Sequence, residues 1–379
     1  MPTVEASQPV SEISKARELR SLMPDDRRER SYAISLGIFF LNLCVYVATF
    51  AFMFLYDQPF LNIVTAVLNG MVIGLLFIVG HDACHGSFTP SARVNQFLAR
   101  LAFLPSLQPY SSWAYSHNGL HHGWSNLKGK DVVFVPFTLA EYQALSWGRR
   151  LLERIHRTAF GVGLMYLMQI WWKTELFPAP LHSPKDKTAF FLDRLLVAAF
   201  LVVQIGVALL ISFTIPAEPW YLVTRAVLLL GLSYAVWFLL IGVITFQQHT
   251  HPEVPWYDKM EEWNFYRAHI HSTPHLSYPT WLRRLLHNIM DHNAHHVDPL
   301  IPLYQLNASQ HSLEDSCGMD VVTNGGSIRA YLKTLRICRL YDYEKHQWID
   351  YDGTPTSAPG LNLLVADVDL MQDIPSASS

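Results

Sequence analysis

Along the chain, polar residues nearly vanish in four stretches: about Tyr32 to Tyr56, Leu61 to Gly80, Phe190 to Ile215 and Trp220 to Thr245. Each supplies the roughly 20 apolar residues of helix needed to cross a hydrocarbon core about 30 Å thick. The connections YDQPF and PAEPW are so short that the four stretches must form two hairpins. Asp193 and Arg194, at the start of the third stretch, are expected near the membrane interface. Two shorter apolar runs, Phe97 to Leu107 and Thr158 to Trp172, are expected to lie along the membrane surface or re-enter it, with Trp171 and Trp172 as interface residues. Counting Thr158 to Trp172 as a fifth span would move half of the histidines to the other side.

The flanks set the orientation. The two tight connections contain no Lys or Arg, whereas the N-terminal arm, Arg149 to Arg157, Lys185, Lys187, Arg283 and Arg284 are basic. The positive-inside rule places all of these on the cytoplasmic side, together with both termini. Met1 to Arg30 is polar, has no leading apolar core of a signal peptide, and reads as a solvated arm with a short helix around Ser14 to Leu22. From Leu306 onward the chain is polar and mixed; Ile328 to Leu340 has helical character, DYEKHQWIDYDG suggests a hairpin turning at Asp352-Gly353, and DIPSASS reads as a loose end. The expected organisation is a cytosolic arm over 1–30, a membrane-embedded catalytic domain over 31–305 and a cytosolic tail over 306–379.

Composition adds little until the histidines are counted. Of 379 residues half are hydrophobic and 16% charged, and a net charge of −3 without a basic stripe gives no reason to expect nucleic acid as a partner. The four cysteines are scattered without CxxC spacing, so neither a disulfide framework nor a zinc knuckle is expected. The 18 histidines, however, cluster. HDACH carries His81 and His85, HNGLHH carries His117, His121 and His122, and HNAHH carries His292, His295 and His296. His249 and His251 follow directly on the fourth apolar stretch.

Helical geometry gives these spacings a meaning. At 3.6 residues per turn, positions i, i+3 and i+4 share one face, so each group can aim its imidazoles at a single point. One HxxxH alone is more often an accident of surface or core. Three groups, each just beyond an apolar segment and all on one face of the membrane, point to metal, and neutral imidazole ligates iron, zinc, copper and nickel. Eight grouped histidines and His249 are too many for one zinc and suit two adjacent ions. No Glu accompanies them, so this is not the Glu-x-x-His pattern of soluble di-iron bundles. Two iron ions fit best. A histidine-rich metal transporter is the competing class, but it predicts ligands at mid-span depth rather than at span ends.

HDACHGSF, SHNGLHHGWSN followed by KDVVFVP, FQQHTHPEVPWY and LHNIMDHNAHHVDPLIPLY together resemble the membrane-bound fatty acid desaturase and hydroxylase superfamily, in particular its Δ12/ω-6 acyl-lipid branch. RICRLYDYEKHQWIDYDG is similar to the closing segment of bacterial members, and the likeness runs from about His81 to Gly353. It implies an all-α membrane protein of four transmembrane helices in two hairpins, with a cytosolic helical cap holding a di-iron site. The implied activity is O2-dependent desaturation of an acyl chain carried as free acid, thioester or lipid. Electrons would come from a separate donor such as ferredoxin or cytochrome b5, since neither an HPGG motif nor a CxxC pair is present. The second box is HxxxHH where most Δ12 enzymes have HxxHH, which keeps hydroxylation and alkene-forming decarboxylation open.

Carried over by position, the iron ligands are His81, His85, His117, His121, His122, His249, His292, His295 and His296, with His251 and His287 as further candidates. Asp82, Asn118, Asp131, Asp291, Asn293 and Asp298 are expected to orient the imidazoles. Cys84 reads as small packing. Trp113, Tyr110, Tyr115, Trp124, Trp256 and Trp263 are candidates for the mouth of an acyl channel, and Arg149, Arg150, Arg154, Arg157, Arg283 and Arg284 for a donor-docking patch. His269, His271 and His275 read as surface or partner-facing residues, and His156, His182, His311 and His346 receive no role.

Overall fold

The computed structural model describes residues 10–178, 186–318 and 321–360; His182, Lys185 and DIPSASS lie outside them. The protein is helical, with four three-residue strands among the described residues. Among the described residues four helices are long and apolar enough to cross a membrane: α2 (Tyr32–Leu55), α3 (Pro59–His85), α9 (Lys187–Ser212) and α10 (Pro219–His249). The preceding helix, α1, spans Val10–Ser21. Prolines at the first positions of α3 and α10 start those helices where a missing N–H costs nothing, and the Asp186 carboxylate caps α9 by accepting from Ala189 N at 2.9 Å.

Outward faces of the four helices are apolar and bare, with Leu41 65% and Leu210 73% exposed, as lipid-facing residues must be. Polar side chains inside the bundle are paired: Gln204 lies between the Tyr46 and Tyr234 hydroxyls, and Ser233 donates to Ala66 O. Because α2 and α9 run away from the cap and α3 and α10 run back to it, every long segment between spans lies at one end of the bundle.

The cap begins with α4 (Ala92–Phe103), whose buried Leu98, Ala99 and Ala102 face inward while Phe97 stays exposed, the pattern of a helix lying along a surface. Next, α5 (Tyr110–Tyr115) runs on as a π-helix over Ser116–His121. After α6 (Leu139–Ala144) and α7 (Trp147–His156), the short α8 (Gly161–Met165) continues as a π-helix over Tyr166–Leu176. Thr158 to Trp172 is therefore too short to span alone, and it packs against α10 instead. Gly242 makes this crossing close: a Cβ there would sit 2.5 Å from Val162 O.

A third π-helix (Arg267–His271) leads to β1 (His275–Ser277), α11 (Thr280–Leu285) and α12 (His292–Val297). The chain closes with α13 (Leu306–Cys317), β2 (Thr323–Gly325), α14 (Ile328–Ile337), β3 (Leu340–Asp342) and β4 (Gln347–Ile349). Strands β1 and β2 pair in parallel and β3 with β4 antiparallel.

Two expectations need correction. The hairpin turns between Asp342 and Gln347; Asp352-Gly353 makes a later turn that bridges Ile349 to Pro355. Nor is the N-terminal arm merely solvated. Leu19 and Met23 are buried, Arg20 donates to Val297 O at 2.8 Å, and Arg27 and Arg28 both bond Asp298, at 3.0 and 2.8 Å. The carboxylate one residue past α12 draws the basic arm onto the cap.

Candidate metal centre

Both central spans deliver histidines at their C-terminal ends. His81 and His85 occupy the last turn and a half of α3, which Gly86 stops in a left-handed conformation (φ 78°). His249 is the last residue of α10. His292, His295 and His296 line one face of α12. HNGLHH does not form an ordinary α-turn: His122 N bonds His117 O at 2.9 Å, the i→i+5 bond of a π-helix. That wider turn lets His121 and His122 straddle the direction of His117, so one short segment serves two points.

All nine histidines expected as ligands come together. Their donor nitrogens form two groups, His81, His85, His117, His122 and His295 in one and His121, His249 and His296 in the other. His292 joins the second, its Nε2 lying 3.1 Å from Nε2 of both His249 and His296. Eight of the nine are buried and His85 is half-buried. Burial first, and then the neighbouring imidazoles, hold the pKa of His117, His122, His295 and His296 well below the ordinary range. They are therefore neutral, the form that ligates metal.

The spacing fits cations. Two nitrogens bonded to one ion at about 2.0–2.1 Å and a right angle apart stand about 3 Å from each other. Here Nε2 atoms face Nε2 atoms at 2.8 Å for His81 and His117, 3.0 Å for His121 and His249, and 3.1 Å for His122 with both His117 and His295. Neutral rings at such distances would set lone pair against lone pair unless protons or a cation lay between them.

Of the six expected orienting residues, one touches an imidazole of the nine. Asp131 Oδ1 meets His121 Nδ1 at 2.9 Å. Asp82 instead accepts from Ser87 and Leu303 N, Asn118 donates to Cys84 O, Asn293 donates to carbonyls of Ile270 and Thr273, and Asp298 holds the arm. Asp291 faces His275 at 3.3 Å, and His275 also meets Glu314. Sequence reasoning missed Ser125, whose hydroxyl lies 3.2 Å from His296 Nδ1. A serine four residues after His121 carries no signal of its own.

His251 and His287 stay outside both groups; His251 Nδ1 accepts from Glu253 N, and His287 Nε2 lies 3.1 Å from the Asn42 amide of α2. His269, His271 and His275 are buried rather than on the surface, and His269 packs 5.4 Å from His296 between ring centres. His269 and His271 belong to the π-helix that packs against α12 and His275 to β1 beside it, a packing that sequence spacing cannot reveal. Arg157 is also buried, against Glu153, and cannot dock a partner.

An apolar cavity of about 470 Å³ meets the centre. His81, His117, His121, His249 and His292 border it; from them it extends between α3 and α10 under α11, lined by Gly74, Leu75, Val243, Ile244 and Leu285. Trp113 is the only one of the six expected aromatics to line it, stacked on His117 at 4.5 Å. Trp124 and Trp263 pack with each other, and Trp256 packs with the tail. Glu175, unremarked in the sequence, also lines the cavity, and burial raises its pKa to about 7 against the hydrogen bonds it receives from Ser116 and its neighbours.

A family model described as fatty acid desaturase matches residues 58–323, the stretch that holds both central spans and every histidine of the two groups. The chain belongs to the fatty acid desaturase family. Among its relatives, a chloroplastic omega-6 fatty acid desaturase of Glycine max is 27% identical over 74% of this chain and 62% of its own length. An sn-1 acyl-lipid omega-3 desaturase (ferredoxin) of Synechocystis is 28% identical over 80% and 81%, and an sn-1 oleoyl-lipid 12-desaturase of Picosynechococcus 27% over 75% and 78%. The two cyanobacterial relatives are by name desaturases of lipid-linked acyl chains, the kind that the histidine motifs resemble. The chain spans about three fifths of the length of the plant relatives. With four membrane-capable helices and this family, it is a membrane protein.

Proposed function

We propose that the protein is a membrane-bound desaturase that uses O2 and two iron ions to introduce a double bond into a fatty acyl chain. The observation that carries this reading is the convergence of nine histidines in two groups, five of them on the wall of an apolar cavity between two spanning helices. His81, His85, His117, His122 and His295 would hold one ion, and His121, His249, His292 and His296 the other. When bound, such a pair, with O2 and two external electrons, supplies the oxidising power that no side-chain acid or base has for an unactivated methylene.

The chain's own residues do the rest. Gly74, Leu75, Val243 and Ile244 make a dry slot in which an acyl chain replaces water. Trp113 fixes His117 by stacking, and Asp131 fixes the ring of His121. Polar termini and cap belong on the cytoplasmic side by the positive-inside rule, with the arm, catalytic domain and tail meeting near residues 30 and 305. The Synechocystis relative's ferredoxin suggests a separate small donor, for which Arg149, Arg150, Arg154 and Arg284 offer a basic face.

The test is gas chromatography with mass spectrometry of acyl chains and headspace hydrocarbons from a bacterial host expressing the protein with ferredoxin, beside His292→Ala. New unsaturated chains that vanish in the variant are expected. A terminal alkene one carbon shorter than a host acid, or a hydroxylated chain, would overturn desaturation.

A further inference from the structure

The inner end of the cavity carries polar groups that the reading above leaves unused. Glu175 and Tyr166 both line it at 1% exposure, on the π-helix that packs against α10. Ser116, next to His117, donates to Glu175 Oε1. Tyr166 Oη, closed off from solvent, has no hydrogen-bond partner, and Glu175 Oε2 has none within bonding distance, with Ser112 and Gln108 near enough to act on the carboxyl. Glu175 and Tyr166 are close enough for the Glu175 charge to act on the phenol. A buried donor and a buried acceptor facing one cavity without partners call for a ligand that carries both functions.

The opposite end is apolar. Met71, ten residues before His81 and so about 15 Å down α3, is exposed at the depth of the spans. Leu75, Leu240 and Ile244 continue that lining toward the histidines. A chain bound methyl end inward would press its methyl group against Glu175 and Tyr166 and leave its polar head at bilayer depth. Bound the other way, both ends match.

We infer that Glu175, Tyr166 and Ser116 form the seat of a carboxylic acid, so that the substrate is a free fatty acid held head inward with its tail reaching back past Met71. This rests on the acyl-chain reading above and names its carrier. Tyr166 Oη donates to one oxygen of the head, and Glu175 Oε2 shares a proton with the other. A glycerolipid head is too bulky for the buried inner end. A further consequence is that the reacting carbon is counted from the carboxyl carbon, because the seat fixes that end beside His117.

Two measurements test the seat. In the first, a fluorescent long-chain fatty acid bound to the full-length, iron-loaded protein in nanodiscs is displaced by dodecanoic acid or by its methyl ester. The acid is expected to compete at least about tenfold better. In a Glu175→Leu/Tyr166→Phe variant the ratio is expected to fall toward one while the ester binds as before; Glu175→Gln, which keeps the shape, guards against misfolding. Equal competition in the wild type, or a ratio that survives the double variant, overturns the seat. In the second, product bond positions are read for acids of several lengths. A constant count from the carboxyl carbon supports the seat. A constant count from the methyl end overturns it and leaves desaturation standing, whereas acid-selective binding without any acyl oxidation leaves the seat and sinks the enzymatic reading.

Discussion

Asp131 Oδ1 lies 2.9 Å from His121 Nδ1, while the Nε2 of the same ring points at His249 Nε2, 3.0 Å away. One carboxylate thus fixes which nitrogen carries the proton and which is left free for a cation. The same carboxyl accepts from Asn126 N and Val132 N, so its own position is set by the loop it closes. Asp131→Asn is expected to keep the fold and to weaken metal retention by roughly 10–100-fold. Iron content after equilibration with a graded chelator checks this, and a variant that holds iron like the wild type would rule out an orienting role.

His287 and His292 stand five positions apart and are expected to part company. His292 faces His249 and His296, so His292→Ala should lower bound iron and abolish activity. His287 instead ties the turn after α11 to Asn42 of α2. His287→Ala is expected to keep the iron stoichiometry and to destabilise by about 1–3 kcal/mol through the lost packing and the loss of one of the Asn42 amide's two partners, Ile38 O remaining. Metal analysis with thermal unfolding separates the two, and loss of iron from His287→Ala would make it a ligand after all.

Asp298 joins two arginines of the arm to the end of α12. Its side chain is 1% exposed, Arg27's is 14% and Arg28's 41%. Asp298→Ala leaves two guanidinium groups without their anion and is expected to cost about 1–3 kcal/mol, less than a fully buried pair because Arg28 reaches solvent. The arm should then become protease-sensitive around Arg20 to Arg30. Limited proteolysis with N-terminal sequencing reads this, and an arm as protected as in the wild type would show that the buried Leu19 and Met23 and the Arg20 bond to Val297 O hold it without Asp298.

What the sequence showed and hid has a physical basis. A span announces itself by about twenty apolar residues in a row, and a ligand group by histidines on one helix face, both local signals. Even the π-turn of HNGLHH leaves its trace in the spacing of His117, His121 and His122. Glu175, Ser125 and the buried His269 and His275 were not legible, because their surroundings come from segments far along the chain. Glu175 reaches Ser116 across 59 positions, and Ser125 reaches His296 across 171. The expected aromatics other than Trp113 failed for the same reason, since a tryptophan beside a histidine motif packs a core as readily as it lines a channel.

His275 meets both Asp291, the residue before His292, and Glu314 of α13. Burial alone would lower its pKa, but the two carboxylates outweigh burial and raise it to about 9. A group whose folded pKa exceeds its unfolded value binds its proton more tightly in the native state. Its stabilisation is therefore complete below about pH 6.5 and is lost as pH rises toward 9. Glu314, whose carboxyl is held below the usual range by hydrogen bonds from His275 and Gln310 despite burial, adds stability that is lost on the acid side. Thermal stability of the detergent-purified protein should thus fall from near-neutral pH toward pH 9. His275→Gln, which keeps a hydrogen-bonding side chain but cannot take the charge, should flatten that alkaline limb and lower the neutral plateau. An alkaline limb of unchanged slope in the variant would mean that another group titrates there, and that the contact behind α12 carries no net charge.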